Sequence, residues 1–471
     1  MIWINPIVLL RWFNPPRKRL GDVVEPNLLK YLDRRIPRYT SYPTAVQFTS
    51  EVGASTYQRW LAALPAAEPA SIYIHIPFCA ELCLYCGCHT TVARRYSPIA
   101  AYVDLLEREV ALVGNIAGRH QASHIHWGGG TPTTLTPPDF MRVMAAVQAN
   151  FTITAATDLA VEIDPRTLTR EHVAAFASAG ITRASVGVQD FESLVQRTVR
   201  RVQSFDLTAR AVEWLRGAGA KSVNLDLMYG LPYQTVATVA QTAERALALE
   251  PERIALFGYA HVPWMKRHQR LIPEHALPAS TDRFAQARAA ADVLTRAGYH
   301  PIGLDHFAKS DDELVRCQRA GKLHRNFQGY TADQSRNLLG FGTSAIGTLP
   351  GGYVQNAADT PSYRDAIRKD CLATKRGYVL TDEDRLRHDI IERLMCDLRV
   401  DLEERCALYH RSAGDFATEL LQIDDLARDG LVRRTGTKLS VPEPARHFIR
   451  AVCAVFDQHL SNDTSRYSQA S

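Results

Sequence analysis

From Ser71 onward, short runs of β-branched and aromatic residues alternate with longer stretches in which apolar positions recur every three or four residues. The runs "IYIHI" (72–76), "HIHW" (124–127), "LAVEI" (159–163), "RASVGV" (183–188), "VNLDLMY" (223–229) and "RIALFGY" (253–259) predict strands. Each precedes a stretch with helical periodicity, such as "PIAAYVDLLEREVALVGNI" or "SFDLTARAVEWLRGAG", the latter closed by glycine. Six strand-then-helix units in series imply parallel strands joined by right-handed crossovers, hence an α/β fold built on an incomplete (β/α)6 parallel barrel of the partial TIM type.

The pattern changes near the end of the chain. "GYVLTDEDRLRHDIIERLM" and "GDFATELLQIDDLARDG" predict helices, "LVRRTGTKLSV" a hairpin, and a last helix is expected from about Glu443. Helices followed by a hairpin suggest a smaller, mainly helical, winged-helix-like domain. Its candidate recognition helix "TELLQIDDLARD" is more acidic than basic, the opposite of what phosphate contact requires. The module is therefore expected to cap the barrel rather than bind DNA. At the other end, "MIWINPIVLLRWFNPPRKRL" has an apolar run broken by Pro6 and followed by basic residues. It is too short to span a bilayer, and its charges lie on the wrong side for a secretory signal.

Composition adds little beyond an ordinary soluble chain: 471 residues, 46% hydrophobic, 22% charged, with a formal charge of +5 too thinly spread to argue for nucleic acid. No membrane association is expected. The nine cysteines are an odd number without a disulfide-like pattern, which points to a reducing, cytoplasmic setting and to metal or redox use.

In parallel barrels the working residues gather at the carboxyl ends of the strands. Those positions here hold the cysteine-rich stretch after the first strand, Gly128 to Thr131 after the second, and Glu162 and Asp164 after the third. Gln189 and Asp190 follow the fourth, Asp226 lies in the fifth, and Tyr259 to His261 follow the sixth. Cys79, Cys83 and Cys86 have the spacing CxxxCxxC, with Cys88 two positions further on. Thiolates suit zinc, copper(I) or iron-sulfur clusters. A structural zinc site usually takes two separated pairs of ligands; no second cysteine pair fits, although His75 or His89 could complete a tetrahedron. A cluster on three thiolates would leave one iron open to another ligand.

CxxxCxxC in the loop after the first strand of such a barrel resembles the signature of the radical S-adenosylmethionine enzymes. Further stretches narrow the resemblance to the oxygen-independent coproporphyrinogen III oxidases: "PRYTSYPTA" (37–45), "YIHIPFC" (73–79), "CGC" (86–88), "HWGGGTPT" (126–133), "VEIDPR" (161–166), "GVQDF" (187–191), "NLDLMYGLP" (224–232), "YAHVP" (259–263), "HRNFQGYT" (324–331) and "SAIG" (344–347). The likeness runs from about residue 30 to the carboxyl end.

The resemblance implies that Cys79, Cys83 and Cys86 hold a 4Fe-4S cluster whose open iron chelates S-adenosylmethionine, and that two S-adenosylmethionine molecules bind. The first would be contacted by Tyr73, Gly129, Glu162 and Ile346. The second would lie against Tyr85, Gly130, Thr131, Gln189, Arg201, Asp226 and Ala260. It further implies catalytic roles for Tyr73, His75, Glu162, Phe327 and Gln328. A tetracarboxylate substrate needs cationic or hydrogen-bonding partners, and Arg38 and Tyr39, with Arg325, Phe327 and Gln328, are expected to help close over it. The implied reaction converts two propionates of coproporphyrinogen III to the vinyl groups of protoporphyrinogen IX in haem biosynthesis, in a monomer supplied with electrons by a reducing donor protein. The implied organisation is a flexible extension (1–30), an amino-terminal arm (31–70), the barrel (71–300), a substrate-site and connecting region (301–375) and the helical carboxyl-terminal domain (376–471). A haem chaperone of the same superfamily and a zinc or iron-sulfur DNA-binding protein are the competing readings; "CGC" and "PRYTSYPTA" disfavour the former, the acidic helix the latter.

Overall fold

The computed structural model describes residues 28–460. Most of the predicted extension, residues 1–27, lies outside the described residues, as do residues 461–471. All six predicted strands are present, each within two residues of its predicted ends: β1 (Ala70–Ile76), β2 (Ala122–Gly129), β3 (Asp158–Ile163), β4 (Arg183–Gln189), β5 (Ser222–Tyr229) and β6 (Arg253–Gly258). They pair in parallel and in sequence order.

Side chains alternate across this sheet as a pleat requires. Ile72, Ile74 and Ile76 of β1, Ile125 and Trp127 of β2, and Val161 and Ile163 of β3 face outward and pack against the helices. Tyr102, Val103, Leu106 and Val110 of helix Ser97–Ala117 and Phe140, Val143 and Val147 of helix Pro137–Asn150 meet them there. Each fully buried aliphatic chain contributes about 1.5–3 kcal/mol, so this face fixes the register of every strand. Local signals set the helix ends: Thr136 caps the second of these helices by accepting from the Asp139 amide, and Thr169 caps helix Arg170–Ala179.

The sheet is wider than the hydrophobic rhythm predicts. It has twelve strands, extended by β7 (His300–Ile302), β8 (His306–Ala308), β9 (Asn337–Phe341), β10 (Ile346–Leu349), β11 (Gly352–Asn356) and β12 (Thr374–Val379). Their order is β12-β11-β10-β9-β1-β2-β3-β4-β5-β6-β8-β7. β9 adds a seventh parallel strand beside β1, with Tyr73 opposite Gly340, and the remaining additions are antiparallel. The fold is thus a mixed sheet with helices, and the parallel part carries the site.

Beyond the sheet, helices Asp382–Asp397, Leu402–Ala407 and Ala417–Arg428 precede the expected hairpin, Arg433–Thr435 with Lys438–Ser440. Arg399–Asp401 joins the hairpin as a third strand. The helix expected from Glu443 is split into a 3-10 segment, Glu443–Phe448, and a short α-helix, Ile449–Cys453. A second apolar core unites this region with the amino-terminal arm, through Tyr31, Leu32, Ile36, Tyr39 and Tyr42 packed with Ile390, Leu394, Phe416 and Phe448. Among the described residues no helix is long and apolar enough to cross a membrane.

Candidate active site at the carboxyl ends of the strands

The face of the parallel strands opposite the helices is polar. Tyr73 and His75 on β1, His124 and His126 on β2, Glu162 on β3, Ser185 on β4 and Asn224 and Asp226 on β5 occupy it, linked by ring contacts and hydrogen bonds. The inner face of an ordinary parallel barrel carries branched apolar chains; this face of the sheet carries donors and acceptors. A cavity of about 100 Å³ lies within, walled by His124, His126, Ser185, Asn224, Asn326 and Gln328 among others.

Toward the carboxyl ends, these side chains interlock. His75 Nε2 is 3.0 Å from the His89 carbonyl oxygen and Nδ1 is 2.9 Å from Tyr73 Oη. A carbonyl can only accept, so Nε2 carries the proton and Nδ1 accepts from the tyrosine. Burial pushes His75 down to about 4, which keeps that neutral tautomer in place. Glu162 accepts from His126 Nε2 at 3.0 Å and from the Gly129 amide at 3.2 Å. Asp226 accepts from Ser185 Oγ at 3.0 Å and from Asn224 Nδ2 at 2.7 Å; burial, and then the Glu162 charge, raise it to about 6.

The glycines after β2 are required by close approaches. A Cβ at Gly129, whose φ is +115°, would stand 2.7 Å from the His75 ring, and one at Gly130 would stand 2.3 Å from the Phe78 carbonyl oxygen. Gly130 and Thr131 donate backbone hydrogen bonds to Ile76 and Phe78, which fixes the start of the cysteine loop. A short parallel pairing of Phe78–Cys79 with Thr91–Val92 closes the loop's other end.

Within the loop, the Cys83 sulfur receives Arg166 Nη2 at 3.5 Å and Arg201 Nη1 at 3.6 Å. Asp164 steers both guanidiniums, at 2.7 and 3.2 Å, and Arg201 also donates to the Gly187 carbonyl at 2.6 Å. A hydrogen bond from Cys88 lowers the Cys86 thiol to about 6, whereas burial pushes Cys79 up to about 12. The segment after β6 grips the loop from outside: Lys266 Nζ donates to the Cys88 carbonyl at 2.8 Å, and His268 Nε2 is 2.9 Å from the Cys86 carbonyl. Fully buried Gln269 donates to the carbonyls of Tyr85 (3.0 Å) and Ala260 (3.2 Å) and accepts from the Val262 amide (2.6 Å). Leu84 and Tyr85 pack there with Val195, Val199, Tyr259 and Ile272.

Most predicted site residues therefore converge. Tyr73, His75, Gly129 and Glu162 form one bonded group; Tyr85 and Ala260 are joined through Gln269; Arg201 touches Cys83; Asp226 lies on the same polar face. Gln189 ends β4 at a register shift, with φ +68°, and Ile346 opens β10 against Gly340 beyond β1. The tip residues Phe327 and Gln328 separate: Gln328 enters the polar cavity, while Phe327 meets the Tyr353 ring at 6.2 Å and lines another one. That second cavity, about 1640 Å³, is bordered by Ser71 and Leu338 near the amino-terminal ends of their strands, away from the cysteines. Tyr39 is turned into the second core, donating to Asp457 at 3.0 Å, so it does not reach the cavity that Arg38 and Arg325 share. Sequence reasoning missed His126, Arg166, Lys266, His268 and Gln269. His126 was open to it, since 124, 126 and 128 share a face of β2 by alternation.

The donor set fits an iron-sulfur cluster. All three thiols of the CxxxCxxC loop are unpaired, and one lies against two guanidiniums; sulfur donors are the soft ligands that iron-sulfur clusters take.

Comparison with known proteins agrees. The model of the Radical SAM superfamily matches residues 73–246. The chain is 49% identical over 443 residues to the oxygen-independent coproporphyrinogen III oxidase of Bradyrhizobium diazoefficiens, covering 94% of this chain and 98% of that one. It is 37% identical to its counterpart in Synechocystis, over 93% and 96% of the two chains. The solved structure of coproporphyrinogen III oxidase from Escherichia coli, described as a radical SAM enzyme, superposes with a TM-score of 0.87 at 37% identity, covering 91% of this chain and all of that one. The chain belongs to the oxygen-independent coproporphyrinogen III oxidases, radical S-adenosylmethionine oxidoreductases whose cofactors are a 4Fe-4S cluster and S-adenosylmethionine.

Proposed function

We propose that this chain decarboxylates two propionates of coproporphyrinogen III oxidatively, giving the vinyl groups of protoporphyrinogen IX, carbon dioxide, and methionine and 5'-deoxyadenosine from two S-adenosylmethionine. The observation that carries the reading is the loop of three unpaired thiols, one held against two arginines, set over a polar interior at the carboxyl ends of parallel strands. The bound cluster and S-adenosylmethionine supply the one-electron chemistry. The protein supplies ligands, orientation and exclusion of water.

In this reading Cys79, Cys83 and Cys86 are the cluster ligands. Tyr73, Gly129, Glu162 and Ile346 hold the first S-adenosylmethionine, Glu162 accepting from its ammonium. Tyr85, Gly130, Thr131, Gln189, Arg201, Asp226 and Ala260 hold the second, with Asp226 accepting from hydroxyls. His75 stays neutral beside the reacting sulfonium, where a second positive charge would be repelled. The apolar packing of Leu84, Tyr85, Tyr259 and Ile272 keeps water off the loop. Gln328 reaches the reaction space from below, and Phe327 shapes the neighbouring cavity. The sheet curls into a partial barrel, and the carboxyl-terminal region, winged-helix-like in its order of helices and hairpin, caps it as a separate domain. The enzyme works as a cytoplasmic monomer fed by a reducing donor protein, in keeping with its nine free cysteines.

The test is anaerobic reconstitution with iron and sulfide, then incubation with reductant, S-adenosylmethionine and coproporphyrinogen III. Carbon dioxide and 5'-deoxyadenosine should appear together. Serine at Cys79, Cys83 or Cys86 should remove cluster iron and all product; a chain that binds porphyrinogen yet releases neither compound is a carrier and refutes the reading.

A further inference from the structure

Of the three thiols in the CxxxCxxC motif, Cys83 is the buried one. Its sulfur receives two guanidinium N–H groups, from Arg166 Nη2 at 3.5 Å and from Arg201 Nη1 at 3.6 Å. The arginines arrive from different elements, since Arg166 follows β3 and Arg201 follows helix Ser193–Thr198. One carboxylate aims both. Asp164 Oδ1 accepts from the Arg166 backbone amide and from its Nε, each at 3.0 Å, while Oδ2 accepts from Arg166 Nη2 at 2.7 Å and from Arg201 Nη1 at 3.2 Å. Asp164 is itself fixed, its amide donating to Thr131 Oγ1 at 3.2 Å.

This arrangement leaves Arg166 no choice of direction. Nε and Nη2 make a two-pronged contact with Asp164, which sets the plane of the guanidinium. Nη2 carries two hydrogens, so the one not given to Asp164 is available to Cys83. Nη1 lies 3.4 Å from Oε2 of Glu81, an exposed carboxylate of the same loop. The side chains of Arg166 and Asp164 keep only 15% and 12% of their surface exposed. A charged donor shielded from water in this way acts more strongly on its partner than one at the surface.

The partner here is a ligand of the cluster. Reducing a 4Fe-4S cluster adds one electron, taken from a one-electron donor, and hydrogen bonds to the ligating sulfurs help to set how readily it is accepted. A cationic donor held against a sulfur favours the more negative, reduced state. We propose that Arg166 is a positioning residue which, aimed by Asp164, acts through Cys83 to raise the reduction potential of the cluster. This rests on the reading of Cys83 as a cluster ligand given above.

Arg201 shares the contact but is also placed at the second S-adenosylmethionine, so Arg166 is the residue to replace. In the full chain, reconstituted anaerobically with iron and sulfide, Arg166→Met should bind as much iron as wild type. In a reductive titration followed by visible absorbance and electron paramagnetic resonance, its midpoint should shift to a more negative potential. Arg166→Lys, which keeps a positive charge without the fork, should shift less in the same direction. Glu81→Gln alters the outer contact of Arg166, leaves the one to sulfur, and should keep the wild-type potential. The proposal is overturned if every Arg166 variant that holds iron has the wild-type midpoint. It is also overturned if neither variant holds iron, as a merely structural tie to the loop predicts, or if Glu81→Gln shifts the midpoint as far as Arg166→Met. Each of those results, with an intact wild-type cluster, removes the role of Arg166 alone. A wild-type chain that takes up no iron, or a Cys83→Ser chain that keeps the full cluster, overturns the ligand reading and the role of Arg166 with it.

Discussion

At the scale of single residues, the site is shaped as much by what is missing as by what is present. Gly130 sits where a Cβ would meet three backbone atoms of Phe78, at 2.3, 2.7 and 2.9 Å, and backbone cannot step aside as a side chain can. Gly87, inside the cysteine loop itself, has nothing within 4 Å. Gly130→Ala should therefore displace the strand entering Cys79, lose most cluster iron on reconstitution and destabilise the fold by roughly 2 kcal/mol or more. Gly87→Ala should retain both. Equal iron in the two variants would show that the loop does not depend on this approach. The cysteines and the glycine triplet were legible because their chemistry is carried by contiguous spacing. The pairing of His126 with Glu162 was half legible: alternation puts both on the inner face, but only the register of β2 with β3, His126 opposite Ala160, shows that they touch.

At the scale of elements, the strand-helix rhythm locates six strands because each buries an apolar face against its own helix, a signal carried within some thirty residues of sequence. β9 escapes that signal. It follows a short ribbon rather than a helix, and it joins β1 across more than two hundred and fifty residues of chain, with Ala70 opposite Asn337. The clamp on the cysteine loop is equally silent in sequence, since Gln269 acts through backbone groups that leave no motif. Its position predicts a measurable effect. Gln269→Leu would strand the carbonyls of Tyr85 and Ala260 and the amide of Val262, a local cost of order 3 kcal/mol. Hydrogen exchange across residues 82–90 should accelerate in the variant while β3 and β4 keep their protection. Unchanged exchange in the loop would mean that the cluster ligands, not this clamp, hold it.

At the scale of the whole molecule, the strands outside the rhythm are tied to the helices that cover the parallel strands by one buried acid. Glu109, in helix Ser97–Ala117, is 2% exposed and accepts from the Gly342 amide at 2.7 Å, Asn356 Nδ2 at 2.6 Å and Tyr363 Oη at 2.7 Å. Three donors favour the carboxylate, yet burial outweighs them and pushes the group up to about 7. In the unfolded chain it titrates near 4.3, so between those values the folded state holds a proton that the unfolded state has released. Stability from this group is accordingly full at low pH and is lost as pH rises toward 7. The wild-type curve alone does not isolate the effect. His75 and His447, pushed down to about 4 by burial, act oppositely as pH rises, and Asp226 acts in the same direction as Glu109. Those groups cancel in a comparison of wild type with Glu109→Gln. From pH 5 to pH 8, anaerobic urea unfolding should show wild type losing roughly 2–3 kcal/mol relative to the variant. A gap independent of pH would mean that Glu109 is already ionised in the folded protein, and that its three donors outweigh its burial.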